Sequence, residues 1–209
     1  MCDPVVREGM QTPWGAADYA RVIADGIGMV GTPGHGGYKL SRARNARVPA
    51  YMRREGGWYE EDCDWCIPYV VFEAELRGNP DCLTTIEKKA HVNTFRNWHP
   101  DAYERWFKTT LKPGESTVRD EQVWKKAHAQ DWQGVSASGD WHASVPKGMV
   151  GVMLVKGGRD DRNGGYSHRP MRYVLVTKEA YAARDPNGFI AEFPDEYATW
   201  DPDAKEVAA

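Results

Sequence analysis

The spacing of hydrophobic and polar positions changes twice along the chain. Near the N-terminus, Ala20-Arg21-Val22-Ile23-Ala24 and Ile27-Gly28-Met29-Val30-Gly31 flank Asp25-Gly26. Two β-like runs joined by such a dipeptide predict a tight hairpin, because Asp-Gly tolerates the positive φ angles of the turn. The loop Thr32-Pro33-Gly34-His35-Gly36-Gly37 leads to a short strand at Tyr38-Lys39-Leu40. Ser41 is placed to cap a brief helix that ends before Pro49, since the residue preceding a proline avoids the helical region. Glu55-Gly56-Gly57 breaks the chain again.

From 58 to 72 the apolar and aromatic residues at 58, 59, 65, 66, 69 and 72 approximate a helical stripe, with Pro68 expected to kink it or end its first part. Asn79-Pro80 caps a helix running to about Asn97, with Leu83, Ile86, Ala90 and Phe95 on its core face. Further helices start at Pro100, carrying Tyr103, Trp106 and Phe107, and at Ser116, carrying Val118, Val123, Trp124 and Ala127. The last third returns to strands at 132–137, 149–155 and 172–177, the last two joined by a polar, Gly-rich loop over 157–167. A short helix from Lys178 to about Ala183 and a strand near Phe189-Ile190-Ala191 follow. Strands, then helices, then strands without βα alternation indicate an α+β fold. Its antiparallel sheet is expected from the N-terminal hairpin and the C-terminal strands, around a helical middle at about 58–130. The division is a frayed N-terminus over 1–11, one α+β domain over 12–193, and an acidic, partly disordered tail over 194–209.

Composition narrows the class. A chain of 209 residues, 41% hydrophobic and 27% charged, buries about 70% of its unfolded surface, enough for one sizeable core or two small ones. A net charge of −3 argues against a protein whose main task is coating nucleic acid. No apolar run reaches membrane-spanning length. The first thirty residues carry Asp3, Glu8, Asp18 and Asp25 in place of an export signal. The expected location is therefore cytoplasmic, and the 4 cysteines are expected as reduced thiols. The 9 tryptophans suit element junctions or a binding face.

Charge is segregated along the chain. From Lys39 to Arg54 the basic residues are Lys39, Arg42, Arg44, Arg47, Arg53 and Arg54, with no acidic one. From Glu55 to Glu75 the acidic residues are Glu55, Glu60, Glu61, Asp62, Asp64, Glu73 and Glu75, with no basic one. Such neighbouring blocks either pair with each other or leave two faces for a partner.

Three constellations could carry chemistry. His35, flanked by glycines that allow close backbone approach, could form a general base with a carboxylate from 60–64 or help hold a divalent cation such as Mg²⁺ or Mn²⁺. On a helix, Glu60, Glu61 and Asp64 converge while Asp62 points elsewhere. Cys63-Asp64-Trp65-Cys66 is a lone C-x-x-C, for which Cys82 and His91 are the only nearby further zinc ligands, at a spacing that matches no finger pattern. The stretch 160–165 places an arginine where an EF-hand requires an oxygen ligand. No Walker loop, GxSxG or HExxH motif is present.

The strings Thr12-Pro13-Trp14-Gly15, Gly34-His35-Gly36-Gly37, Arg44-Asn45-Ala46, Gly57-Trp58-Tyr59-Glu60-Glu61-Asp62-Cys63, Trp98-His99-Pro100-Asp101-Ala102-Tyr103-Glu104 and Val145-Pro146-Lys147-Gly148-Met149-Val150-Gly151 occur in this order. Together, over about residues 12–200, they resemble a domain of unknown function carried by bacterial plasmids and phages. The resemblance implies an accessory protein of mobile DNA and supplies no activity, catalytic residue or cofactor. Cys66 departs from the small residue of that pattern, which weakens the zinc idea.

The leading expectation is a non-enzymatic accessory protein that binds a host or defence protein, with no cofactor. Its surface is expected from Lys39, Arg42, Arg44, Arg47, Arg53, Arg54, Trp58, Tyr59 and Glu60. The alternatives are a small metal-assisted hydrolase or nuclease using His35 with Glu61 and Asp64, and a nucleic-acid-binding module using the basic block 39–54.

Overall fold

Alternation of apolar residues, and glycines where side chains would collide, build the first sheet. The computed structural model describes residues 5–159, 165, 166 and 168–205. The chain divides into two compact units, Met1–Arg119 and Asp120–Ala209.

The N-terminal unit opens with a two-residue ladder, β1 (Gln11–Thr12) with β2 (Gly15–Ala16). A four-stranded antiparallel sheet follows in the order β3 (Tyr19–Ala24), β4 (Ile27–Gly31), β5 (Gly36–Leu40), β6 (Trp58–Glu60). The Asp25-Gly26 turn joins β3 and β4 as its chemistry dictates, with Gly26 at φ +70°. On one face Ile27, Leu40 and Tyr59 are fully buried against the helical segment. On the other, Val6 packs over Gly28, and Trp14 and Trp58 meet edge-on with ring centres 5.8 Å apart. Val5, Val6 and Met10, within the stretch expected to fray, therefore help form the second cover of the sheet, with Val6 4% exposed.

Ser41 caps α1 (Arg42–Arg47) by accepting from the Arg44 N–H. The helix expected across 58–72 is instead β6, a turn, and α2 (Cys66–Val71). The apolar spacing misled because Trp58 and Tyr59 alternate across a strand. Pro68 causes no kink, since it lies in the first turn of α2, where its missing N–H is unneeded. After α3 (Glu73–Leu76), the Asn79 side chain caps α4 (Pro80–Glu87) with Pro80 in its first turn. Lys89, at φ 54°, ends that helix and starts α5 (Ala90–Trp98), which packs on α2. Then come α6 (Pro100–Phe107) and α7 (Thr117–Ala127), which crosses the boundary between the units.

The C-terminal unit contains a five-stranded antiparallel sheet. It is built from β7 (Trp132–Gly139), β8 (Met149–Lys156), β9 (Met171–Thr177), β10 (Ile190–Ala191) and β11 (Ala198–Thr199), in the order β10-β7-β8-β9-β11. The short α8 (Lys178–Ala182) follows β9. Val152, Leu154, Val174, Val176 and Ala191 form its core. The fold is thus the expected mixture of helices and antiparallel strands, and among the described residues the strands divide among three sheets. The tail expected to be partly disordered carries a buried ring, Trp200. That ring is 7% exposed, lies against Gly151 and donates its indole N–H to Ser144 Oγ at 2.9 Å. Part of the expected loop over 157–167, most of the calcium-like stretch, and residues 206–209 lie outside the described residues.

Gly34 and Gly37 make opposite predictions. A Cβ on Gly37 would collide with the Tyr59 carbonyl and lie 2.5 Å from Trp14 Cη2, whereas one on Gly34 would meet nothing within 4 Å. Gly37→Ala is expected to destabilise the protein by about 1–3 kcal/mol, as overpacking does. Gly34→Ala should stay within about 0.5 kcal/mol. Urea unfolding followed by tryptophan fluorescence checks both.

Candidate functional site

The site is built by the pairing of β5 with β6. Gly37 lies opposite Glu60, Tyr38 opposite Tyr59 and Lys39 opposite Trp58. The Glu61 N–H extends the ladder by donating to the Gly36 carbonyl at 3.1 Å. This register sets the 60–62 turn beside the loop that carries His35. That loop is pinned locally, with Thr32 Oγ1 donating to the His35 carbonyl and accepting from the His35 N–H. Gly36 matters because a Cβ there would lie 2.6 Å from Glu61 Oε2, in the space the carboxylate occupies.

At this corner His35 Nδ1 is 3.8 Å from Glu60 Oε1 and 3.6 Å from Glu61 Oε1. His35, Glu60 and Asp62 each present a ligand atom within 4.8 Å of the others. Glu60 folds back over the turn, accepting from the Asp62 N–H at 2.7 Å and the Cys63 N–H at 3.1 Å. Its carboxylate is thereby fixed, with lone pairs left over. The imidazole is about half exposed and Glu60 half-buried, so the corner is open to solvent.

Asp64, expected to join His35, does not. It faces away into a second group, where Arg54 grips it through Nε to Oδ2 and Nη2 to Oδ1, both at 2.6 Å. His99 Nε2 lies 3.3 Å from Asp64 Oδ1 and 3.0 Å from the Cys63 carbonyl. The convergent set is therefore His35, Glu60, Glu61 and Asp62. The expectation failed because 58–60 is a strand and 61–65 a turn, so the helical i, i+4 relation between Glu60 and Asp64 does not apply. Burial pushes the Cys63 thiol up to about 11, helped by the Asp64 charge and the Glu60 contact. Burial likewise raises Cys66 and lowers the His99 imidazole.

The zinc ligands suggested by the C-x-x-C are not brought together. Cys66 is fully buried and its thiol donates to the Cys63 carbonyl at 3.0 Å. Cys82 accepts from the Tyr69 hydroxyl, and buried His91 faces Glu73. Among the described residues, the groups of three ligands are His35–Glu60–Asp62 and Cys63–Asp64–His99. His99 escaped the sequence reading because no motif spacing links 63–64 to 99. Its only signal was a histidine directly before the proline that opens α6.

The basic block is largely engaged. Arg44 and Arg47 both bind Glu75, and their guanidiniums stack over Phe72. The Arg44 hydrogen bond foremost, with Arg47, holds the Glu75 carboxyl below the usual range. Arg53 donates to the Val48 and Ala46 carbonyls, and Lys39 donates to the Gly56 carbonyl while lying over Trp58. Arg42 is exposed. Tyr59 cannot anchor a partner, because it is fully buried and its hydroxyl donates to Asn45 Oδ1 at 2.7 Å.

Fold and site together define an α+β protein with a histidine–carboxylate corner at the end of a four-stranded sheet. The chain belongs to the family described as Domain of unknown function (DUF7007), whose model matches residues 7–129, more than half of its length. The match contains the whole corner. No curated protein and no solved structure matches the chain. Among the described residues no helix is long and apolar enough to cross a membrane.

Two predictions follow from the second group. Asp64→Asn strips the carboxylate from Arg54 and should cost about 1–3 kcal/mol, while Glu61→Gln at the open corner should stay within about 0.5 kcal/mol; thermal unfolding compares them. His99 carries the pH effect. Because its folded imidazole resists protonation, the unfolded chain takes up the proton first as pH falls. Stability should therefore decline as pH drops below about 6.5, the ordinary histidine value. His99→Asn should flatten that decline in urea titrations at pH 7.5, 6.5 and 5.5.

Proposed function

We propose that the protein is a metal-assisted phosphohydrolase, most simply a nuclease, acting at the His35–Glu60–Asp62 corner. The observation that carries this reading is the placement of His35 within 4 Å of carboxylates at 60 and 61 on a solvent-open sheet end. One imidazole and two carboxylates form a hard, open donor set suited to Mg²⁺ or Mn²⁺. An ion there would bind a phosphate oxygen and acidify a bound water. Glu61, exposed and beside His35, is placed to take the proton.

The neighbouring surface supports a nucleotide-bearing substrate. On the sheet face that carries Glu60, half-buried Trp14 and Trp58 meet in a T-shaped contact, with Lys39 over Trp58. Partly exposed indoles offer stacking surface for bases, and the ammonium offers charge for a phosphate. A second reading keeps the family resemblance in view: an accessory protein of a bacterial plasmid or phage, in the cytoplasm of its host, binding a host protein. Exposed Trp98 and Arg42 favour it. It ranks second because Arg44, Arg47, Arg53 and Arg54, named for that surface, already have intramolecular partners.

The test is cleavage of single-stranded and duplex DNA and RNA, and of a simple aryl phosphodiester, by purified protein with Mn²⁺ or Mg²⁺. Cleavage should require the ion and fall by about 100-fold or more in His35→Ala and Glu60→Gln. Trp58→Ala should raise KM more than it lowers kcat. Metal-dependent cleavage absent from the wild-type protein, or equal in His35→Ala, overturns the reading.

A further inference from the structure

The second ligand group differs in chemistry from the first. Cys63 and Asp64 come from the turn after β6, and His99 from the junction before α6, so distant segments meet there. Each presents a ligand atom within 4.8 Å of the others. All three are partly buried, with the His99 and Asp64 side chains 14% and 16% exposed. Sulfur, imidazole nitrogen and carboxylate oxygen form a borderline set that favours zinc over magnesium or calcium.

We propose that Cys63, Asp64 and His99 bind a zinc ion, leaving its fourth position open to water. This does not rest on the phosphohydrolase reading, since the two groups share no ligand. Binding breaks the Cys63 S–H bond and forms a zinc–sulfur bond, with the proton passing to buffer, while the carboxylate and a neutral imidazole nitrogen each donate a lone pair. Three protein ligands and one water make the arrangement of a catalytic rather than a structural zinc.

The surroundings are arranged for such an ion. Arg54 occupies one lone pair on each Asp64 oxygen, and each oxygen has a second, so the guanidinium can remain and orient the carboxylate. The Cys63 carbonyl accepts from the Cys66 thiol at 3.0 Å, which fixes the backbone that presents Cys63. His99 Nε2, 3.0 Å from the same carbonyl and 3.3 Å from Asp64 Oδ1, would turn its lone pair to the ion with the ring proton on Nδ1. The second cysteine of the C-x-x-C therefore acts as a positioning residue beneath the first and is not a ligand. The Cys63 thiol lies 3.6 Å from Glu60 Oε2, so two carboxylates border the position and add attraction for a cation.

Cobalt(II) supplies a probe that reports on sulfur. Titrating the full chain with Co²⁺, reduced with a phosphine, should give a thiolate-to-cobalt charge-transfer band that saturates at one equivalent. Zinc should bleach the band, and zinc added to the metal-free chain should release one proton per ion bound. Cys63→Ser should abolish the band, and His99→Gln should weaken binding at least about 10-fold. His35→Ala and Cys66→Ser should retain the band. Because a substituted chain can misfold, the wild-type protein is also alkylated with iodoacetamide and mapped by mass spectrometry. Zinc should slow modification of Cys63 at least about 10-fold without changing Cys82. No charge-transfer band in the wild-type protein, a band that survives Cys63→Ser, a band lost in Cys66→Ser, or zinc-independent alkylation of Cys63 overturns the assignment. Loss of cleavage with the band retained would instead count against the phosphohydrolase reading alone.

Discussion

The close passage of β6 and the Trp14 loop over Gly36 and Gly37 governs the N-terminal unit. Two adjacent residues without Cβ atoms let the Tyr59 carbonyl and the Trp14 ring press on one face and the Glu61 carboxylate on the other. That approach fixes the β5–β6 register, and the register fixes which acids meet His35. A side chain at Gly37 would push β6 away, and the residues after it would move with it, whereas one at Gly36 would crowd the Val30 carbonyl of β4 and displace the Glu61 carboxylate. The corner is thus a consequence of strand packing more than of any local motif.

Charge completes the architecture. The basic block closes onto the acidic block that follows it, through Arg44 and Arg47 on Glu75 and Arg54 on Asp64. The Arg47–Glu75 pair, exposed on both sides, contributes little. The Arg54 fork is different, because its carboxylate is mostly shielded and both oxygens are held at 2.6 Å. The pairing removes Asp64 from the His35 corner and leaves Glu60, Glu61 and Asp62 as its acids. It also places a fixed cation behind the Cys63–Asp64–His99 group, which orients the carboxylate toward the histidine.

Much of the fold was legible in the sequence, because local chemistry decided it. Asp25-Gly26 made its hairpin, Ser41 and Asn79 capped their helices, and the apolar run 149–155 became the central strand of the second sheet. The failures arose where long-range pairing overrode local pattern. Trp58 and Tyr59 matched a helical stripe but pair with Lys39 and Tyr38, and Val6 found its partner in Gly28 of β4, far along the chain. The tail around Trp200 looked acidic and loose until a glycine in β8 gave the indole a surface to lie on. At the site, the approach of His35 to acids of the 60–64 stretch was readable, whereas the choice between Glu60 and Asp64, and the arrival of His99, depend on tertiary contacts.

The central claim is that the β5–β6 pairing holds His35 against Glu60 and Asp62 tightly enough to capture a divalent ion. Paramagnetic relaxation by trace Mn²⁺ in an NMR spectrum of the ¹⁵N-labelled chain tests it most directly. The account predicts that the amides of His35, Gly36 and residues 60–62 broaden first, at sub-stoichiometric ion, while those of the C-terminal sheet stay sharp. Broadening spread evenly over acidic residues throughout the chain, or centred away from His35, would contradict it.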